Sequence, residues 1–170
     1  MKNMKDQGNS TWFAKGATSN NIKLKLTVQY AENTLLHLKE APTRFQFRKW
    51  LKAGLKQDAE ITLRIVDEVE GRRYNRDFRG KDYATNVLTF VYESTPPLSG
   101  DIVLCATVIE KEANQQHKGV LAHYAHLAVH SALHLQGYMH ESHKDAAIME
   151  QLEAKIVTRL GFDDPYHKEF

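Results

Sequence analysis

The stretch HSALHLQGYMH, residues 130–140, decides how this chain is read, because its spacing needs a chemical explanation beyond packing. Residues four apart on a helix share a face, roughly 6 Å apart along the axis at ~1.5 Å per residue, so His130 and His134 can offer ring nitrogens to one ion. Gly137 then ends the helix in the left-handed conformation that glycine adopts without steric cost, and the turn over Tyr138 and Met139 returns His140 toward the first two. Three neutral imidazoles with a fourth position open form the arrangement of a catalytic zinc; a closed structural site normally carries four protein ligands, often cysteines. A histidine pair four apart is common on half-buried helices. The third histidine beyond a helix-stopping glycine is what makes this array specific for metal.

His123 and His126 precede the array on the same helical face, where they can approach substrate or orient a ligand. The same spacing occurs in metzincin proteases, whose first histidine is followed by a glutamate that acts as general base. Here that position is Ser131. A hydroxyl is no base near neutral pH, so the usual peptidase mechanism lacks its proton acceptor, and a serine nucleophile finds no third orienting group. Glu141 is the carboxylate nearest His140 in sequence, with a solvated loop charge as its default role.

Working outward, 170 residues with 42% hydrophobic and 26% charged content have the size and composition of one globular domain with its own core. Cys105, the only cysteine, sits in an apolar run and reads as a buried strand residue, so no disulfide forms within the chain, as in a reducing compartment. No apolar stretch approaches a membrane span or a secretory signal, which points to the cytoplasm. A net charge of +2 neither requires nor excludes a polyanionic partner. Arg72, Arg73, Arg76, Arg79 and Lys81 cluster between Gly71 and Asp82, a segment the glycines punctuate as a charged loop able to meet phosphate. Few aromatics gather there, so nothing calls for base stacking.

Residues 1–20 lack periodicity and read as a leader outside the fold, leaving residues 21–170 as a single domain. Ile22 to Tyr30 alternate as a strand with one wet face, Phe47, Trp50, Leu51 and Leu55 recur at helical spacing behind Pro42 and Thr43, and Ile61, Leu63 and Ile65 alternate again. Val87 to Tyr92 form a third strand. Ser94 to Gly100 read as a turn, and Ile102 to Ile109 as a strand covered on both faces. One largely buried helix is expected from about residue 113 to 136. A last helix, opened by Ser142 and Asp145, presents Ile148, Leu152, Ile156 and Leu160 and stops at Gly161. The order predicts an α/β (α+β) single domain with a mixed β-sheet packed with helices and a metzincin-like three-histidine metal cleft.

Residues 130–140 resemble the H-G-x-L-H-L-x-G-Y-D-H signature of the YbeY endoribonucleases, the bacterial rRNA maturation factors. Asn75 to Asp82 with Thr85 to Leu88 resemble the family's N-x-x-Y-R-G-K-D-x-x-T-N-V-L, Gly100 to Ile102 match its strand opening, and Gly161 to Tyr166 resemble its C-terminal tail. The likeness runs from about residue 59 to 166. It implies one metal ion, zinc or another divalent cation, held by His130, His134 and His140, with Arg79 as the catalytic arginine. Arg76 and Lys81, from the basic cluster, and His126, from the histidine face of the helix, are the substrate-binding candidates. The implied activity is cleavage of single-stranded RNA in ribosomal RNA maturation, at the 16S rRNA 3′ end, and in quality control of the small ribosomal subunit with its assembly factors, with no membrane partner. Ser131 stands where the family has glycine. Met139 stands where it has aspartate, which removes a carboxylate beside the last ligand.

Such a metal can act as a Lewis acid on a phosphate oxygen and can lower the pKa of bound water from ~15.7 toward ~7. Arg79 can meet the phosphate with paired N–H donors. Hydrolysis and attack by the RNA 2′-hydroxyl would use the same residues. Two other classes fit the array: a metallopeptidase with an unconventional base, and a noncatalytic ribosome-assembly module whose metal stiffens the cleft.

Overall fold

Among the described residues, four strands and the helices between them make up the fold. The computed structural model describes residues 21–35 and 40–167, so the leader expected at residues 1–20 lies outside the described residues. In chain order the elements are β1 (Leu24–Tyr30), α1 (Glu32–Leu35), α2 (Arg44–Gly54), β2 (Ala59–Val66), α3 (Glu68–Arg79), β3 (Val87–Glu93), β4 (Leu98–Cys105), α4 (Ala106–Gln115), α5 (Val120–Leu135) and α6 (His143–Arg159). The sheet runs β1-β2-β4-β3, with β1, β2 and β4 parallel and β3 antiparallel to β4. A mixed sheet packed with helices is what the alternating order predicted.

One face of the sheet carries Leu24, Leu26, Ile61, Leu63, Ile65, Ile102 and Leu104, buried against α2 and α5. Phe47 sits at its centre, edge-on to Trp50 and Tyr124. Thr43 caps α2 reciprocally: its hydroxyl accepts from the Gln46 amide, and the Gln46 side chain accepts from the Thr43 amide, as Pro42 and Thr43 suggested. The opposite face is covered by α3 over β3, β4 and the end of β2, through Val66, Leu88, Val103 and Cys105. Over β1 and the start of β2 it is wet, with Lys25 paired to Glu60.

Several expectations are corrected. The basic segment around residues 71–82 is no loop: α3 spans Glu68–Arg79, opened by Asp67, whose carboxylate accepts from the Glu70 amide. Gly71 lies inside the helix because a Cβ there would meet Cys105 Sγ at 3.1 Å, and Gly80, at φ 68°, is its left-handed stop. Tyr74 stacks on Phe78, and Phe78 meets Phe90 edge-on, so aromatics do gather among these arginines.

The apolar run after Ile102 changes structure at Cys105, where the strand ends and α4 begins; Ala106 and Ile109 are as buried as the strand they follow. The helix expected from residue 113 to 136 is two helices, interrupted at residues 116–119. Strand β4 also starts at Leu98, inside the expected turn. Finally, α6 buries Met149, Glu153 and Val157, one position round from the expected stripe, while Ile148 is exposed. Ser142 does cap that helix, accepting from the Asp145 amide.

Candidate metal centre

Helix α5 owes its composition to its place between the sheet, α2 and α6: ten of its sixteen residues are buried, and His123, His126 and His130 line a cleft on its remaining side. Past Leu135 the chain reverses tightly. The Gly137 amide donates to the His134 carbonyl and the Tyr138 amide to Leu133, with Gly137 at φ 93°. Gln136 fastens this turn, donating from its side chain to the carbonyls of Gly54 and Ala132 while accepting from the Lys56 amide. The outcome is the one the spacing predicted. His140 folds back so that its ring centroid lies 5.0 Å from that of His134 and 5.7 Å from that of His130.

One nitrogen from each of His130, His134 and His140 lies within 4.8 Å of the others, and the Nε2 atoms of His130 and His134 are 3.1 Å apart. Two imidazole nitrogens bound at about 2.0–2.1 Å to one tetrahedral ion would sit about 3.3 Å apart, so this spacing suits a shared cation. Burial, with His130 and His140 close by, brings the His134 pKa down to about 4, which keeps that ring neutral and its lone pair available at neutral pH. The three side chains therefore fit a metal ion.

Behind the cluster stands a carboxylate that sequence reasoning missed. Glu153, from the buried stripe of α6, is fully inaccessible and accepts hydrogen bonds from His130 Nδ1, His126 Nε2 and the Tyr166 hydroxyl. Burial raises its pKa, and these three donors more than reverse the effect, holding it at about 2. The signal was a glutamate at helical spacing between Met149 and Val157. Tyr166 comes from the C-terminal tail, which Lys118 anchors by donating to the Pro165 carbonyl at 2.8 Å. Beside this group opens a cleft of about 370 Å³, lined by Asn86, Glu112, His123, His126, His130 and Tyr166 among others. Glu112 there accepts from His123 Nε2 at 2.7 Å and from Asn86. Burial lowers the His123 pKa against the pull of Glu112.

The other residues singled out by sequence lie as follows. Ser131 is buried and donates to the Leu127 carbonyl at 2.9 Å, turned into the helix rather than into the cleft. Met139 and Glu141 are exposed. Arg76, Arg79 and Lys81 stand at the C-terminal end of α3, across the sheet from α5, and none of them bonds to a histidine of the cluster. Arg76 pairs with Asp77, and Arg72 grips Asp82 with two hydrogen bonds. Arg79 makes no hydrogen bond or ion pair among the described residues. The fold thus brings the three histidines together and ties His126 to them through Glu153, while Arg79 bonds to none of them.

This fold and cluster define an α/β domain with a three-histidine site able to hold a metal ion beside an open cleft. The family model described as Endoribonuclease YbeY matches residues 27–161. Relatives named Endoribonuclease YbeY include that of Nitrosospira multiformis, 58% identical over 85% of this chain and 82% of its own length, and that of Methylobacillus flagellatus, 52% identical over 86% and 96%. The solution structure of TM1509 from Thermotoga maritima shares the fold, with a TM-score of 0.50 at 22% identity over 85% of this chain and 99% of that one. The chain belongs to the YbeY endoribonuclease family. Among the described residues no helix is long and apolar enough to cross a membrane.

Proposed function

We propose that residues 21–170 form a zinc-dependent endoribonuclease domain that cleaves single-stranded RNA during ribosomal RNA maturation, at the 16S rRNA 3′ end, and in quality control of the small ribosomal subunit in the cytoplasm. As a member of an endoribonuclease family the chain is a hydrolase of RNA. The observation that carries the metal is the convergence of His130, His134 and His140 within 4.8 Å in a chain of that family. These three residues would hold the ion, which when bound supplies Lewis acidity toward a phosphate oxygen.

The chain's own groups do the rest. Arg79, at the end of α3 and without a partner among the described residues, donates to nonbridging phosphate oxygens as charge builds on them. The loop after it leads from Lys81 to Asn86, which lines the histidine cleft, so a strand seated in the cleft passes the start of β3 toward Arg76, Arg79 and Lys81. These add sequence-independent affinity for the backbone. His126 faces the same cleft and borders the substrate. The peptidase reading has no support from position 131, where a buried serine bonded to Leu127 stands in place of a glutamate base.

Purified protein is expected to carry one zinc per chain, to cut single-stranded RNA and to leave casein intact. His134→Ala should lose both metal and cleavage, which also excludes a contaminating nuclease, whereas Arg79→Glu should keep metal and lose cleavage. Stoichiometric metal in the first variant would remove the ligand assignment. Full cleavage by the second would remove Arg79 from the reaction.

A further inference from the structure

His130 has two ring nitrogens with different tasks, and the structure accounts for both. Its Nε2 faces His134 Nε2 at 3.1 Å, and its Nδ1 faces Glu153 Oε1. A carboxylate only accepts, so the proton of the neutral ring belongs on Nδ1 and the lone pair on Nε2. Glu153 is itself held from two further sides. His126 Nε2 donates to Oε2 at 2.8 Å, and the Tyr166 hydroxyl donates to the same oxygen while lying 3.2 Å from His126.

Glu153 gathers its donors from two other parts of the chain. His130 and His126 lie one turn apart on α5, Glu153 on α6, and Tyr166 beyond α6 on the tail that Lys118 fixes. The Tyr166 amide also donates to Asp164 at 2.8 Å, which shapes the tail into the turn that aims the ring inward. A fully buried carboxylate with no partner would be expelled or neutralised, so its retention in an apolar stripe requires this set of donors.

We infer that Glu153 is the positioning residue of the metal centre, fixing the orientation and proton position of His130 so that its Nε2 meets the ion, with His126 and Tyr166 acting through it. The inference rests on the metal reading of the cluster. It makes the C-terminal tail part of the site: residues 163–166 act at the metal by steadying Glu153. Glu153 does not touch the reacting phosphate. Its effect is on how tightly the ion is held, since partners behind a metal-bound histidine commonly govern affinity by 10–100-fold.

The test uses the full chain and zinc alone, with affinity read by competition against a chromophoric chelator. Glu153→Gln should weaken zinc binding by about 10–100-fold, because a side-chain amide can turn an N–H toward Nδ1 and favour the wrong tautomer. Tyr166→Phe, which removes one donor from the surface tail, should weaken it severalfold. Glu150→Gln, exposed on the same helix, should bind as the wild type does. Should Glu153→Gln fail to fold, the metal-free wild type still decides: nitrogen NMR should find the His130 proton on Nδ1. Wild-type affinity in both Glu153→Gln and Tyr166→Phe, or a His130 proton on Nε2, would overturn the inference while leaving the metal reading intact. No zinc binding by the wild type would overturn both.

Discussion

Gly100 in β4 is where the sheet, the histidine helix and the metal loop meet, and replacing it by alanine tests that junction. A Cβ at this position would lie 2.4 Å from Leu135 Cδ2 and 2.5 Å from the Phe90 carbonyl oxygen. Ordinary carbon contacts are about 3.5–4.0 Å, so Leu135 would have to retreat by more than ~1 Å, yet it is 1% exposed and has no room. The oxygen belongs to β3, paired with β4 across this register, and cannot rotate away as a side chain can. Overpacking of a filled core costs about 1–3 kcal/mol, and two clashes, one with backbone, put Gly100→Ala near the upper end at ~3 kcal/mol. For a chain of this size that is a fall in Tm of about 6–12 °C, at ~2–4 °C per kcal/mol. Leu135 directly follows His134, so its displacement should also weaken zinc binding. Gly137→Ala is the control: at φ 93° with nothing within 4 Å of its Cβ, it carries only the backbone cost of ~1–2 kcal/mol. Thermal and urea unfolding of metal-free protein compare the two. A Gly100→Ala variant within ~2 °C of wild type, or more stable than Gly137→Ala, would refute the steric reasoning.

Acid should destabilise the metal-free protein in two stages. The folded pKa of His134, about 4, lies below the unfolded value of ~6.5, so the unfolded chain takes up the proton first; stability is whole above pH ~6.5 and falls as pH drops toward 4. The Glu153 pKa, about 2, lies below its unfolded value of ~4.3, so a second loss runs from about pH 4.5 toward 2. Urea midpoints at pH 7.5, 5.5 and 4.5 would settle the first stage, and a flat profile would contradict it. RNA affinity should fall with salt, and if Arg76, Arg79 and Lys81 each meet a phosphate, the log–log slope they supply is about −2, at ~0.7 per contact on a single strand. Lys81→Ala should reduce that slope by ~0.7 in a titration monitored by fluorescence anisotropy; an unchanged slope would take Lys81 off the RNA. Saturating zinc at about 100 times its Kd should stabilise the fold by ~2.7 kcal/mol, read as a Tm difference before and after chelation, whereas a Tm unmoved by chelation would mean that the ion binds no tighter to the folded chain.

The parts of the fold that could be read from sequence are those whose burial follows one period. Strand β1 alternates because one of its faces is wet, and α2 repeats at helical spacing because one of its sides packs on the sheet. Helix α3 hid because its buried residues are Gly71 and Asn75, neither of them apolar in the usual sense: one lets the helix approach Cys105, and the other donates its side-chain amide to the Tyr83 carbonyl to hold the following loop. Its charges then look like a loop when they are the solvent side of a helix. Between β4 and α5 the reverse problem arises. Strand, helix and the next helix are all buried, so continuous apolarity carries no period to mark where Cys105 ends one element and Gly119 caps another.

The same contrast separates the legible half of the metal centre from the illegible half. His130, His134 and His140 lie within one turn-helix unit, so their geometry follows from local rules: the helical repeat, the glycine stop and the reversal after it. Glu153 and Tyr166 reach the site through tertiary packing of α6 and the tail, and no spacing rule relates position 153 to position 130. What sequence did contain was an anomaly, a carboxylate between Met149 and Val157 where the helix turns its back to water. A charge cannot be buried without donors, so such a residue implies partners, and the groups here with N–H or O–H to give and a reason to face inward are histidines already gathered for another purpose. The metal site thus explains why the core tolerates a glutamate, and the glutamate explains how the first histidine of the array is held; removing either should loosen the other, with zinc affinity lost in Glu153→Gln and stability lost in His130→Ala.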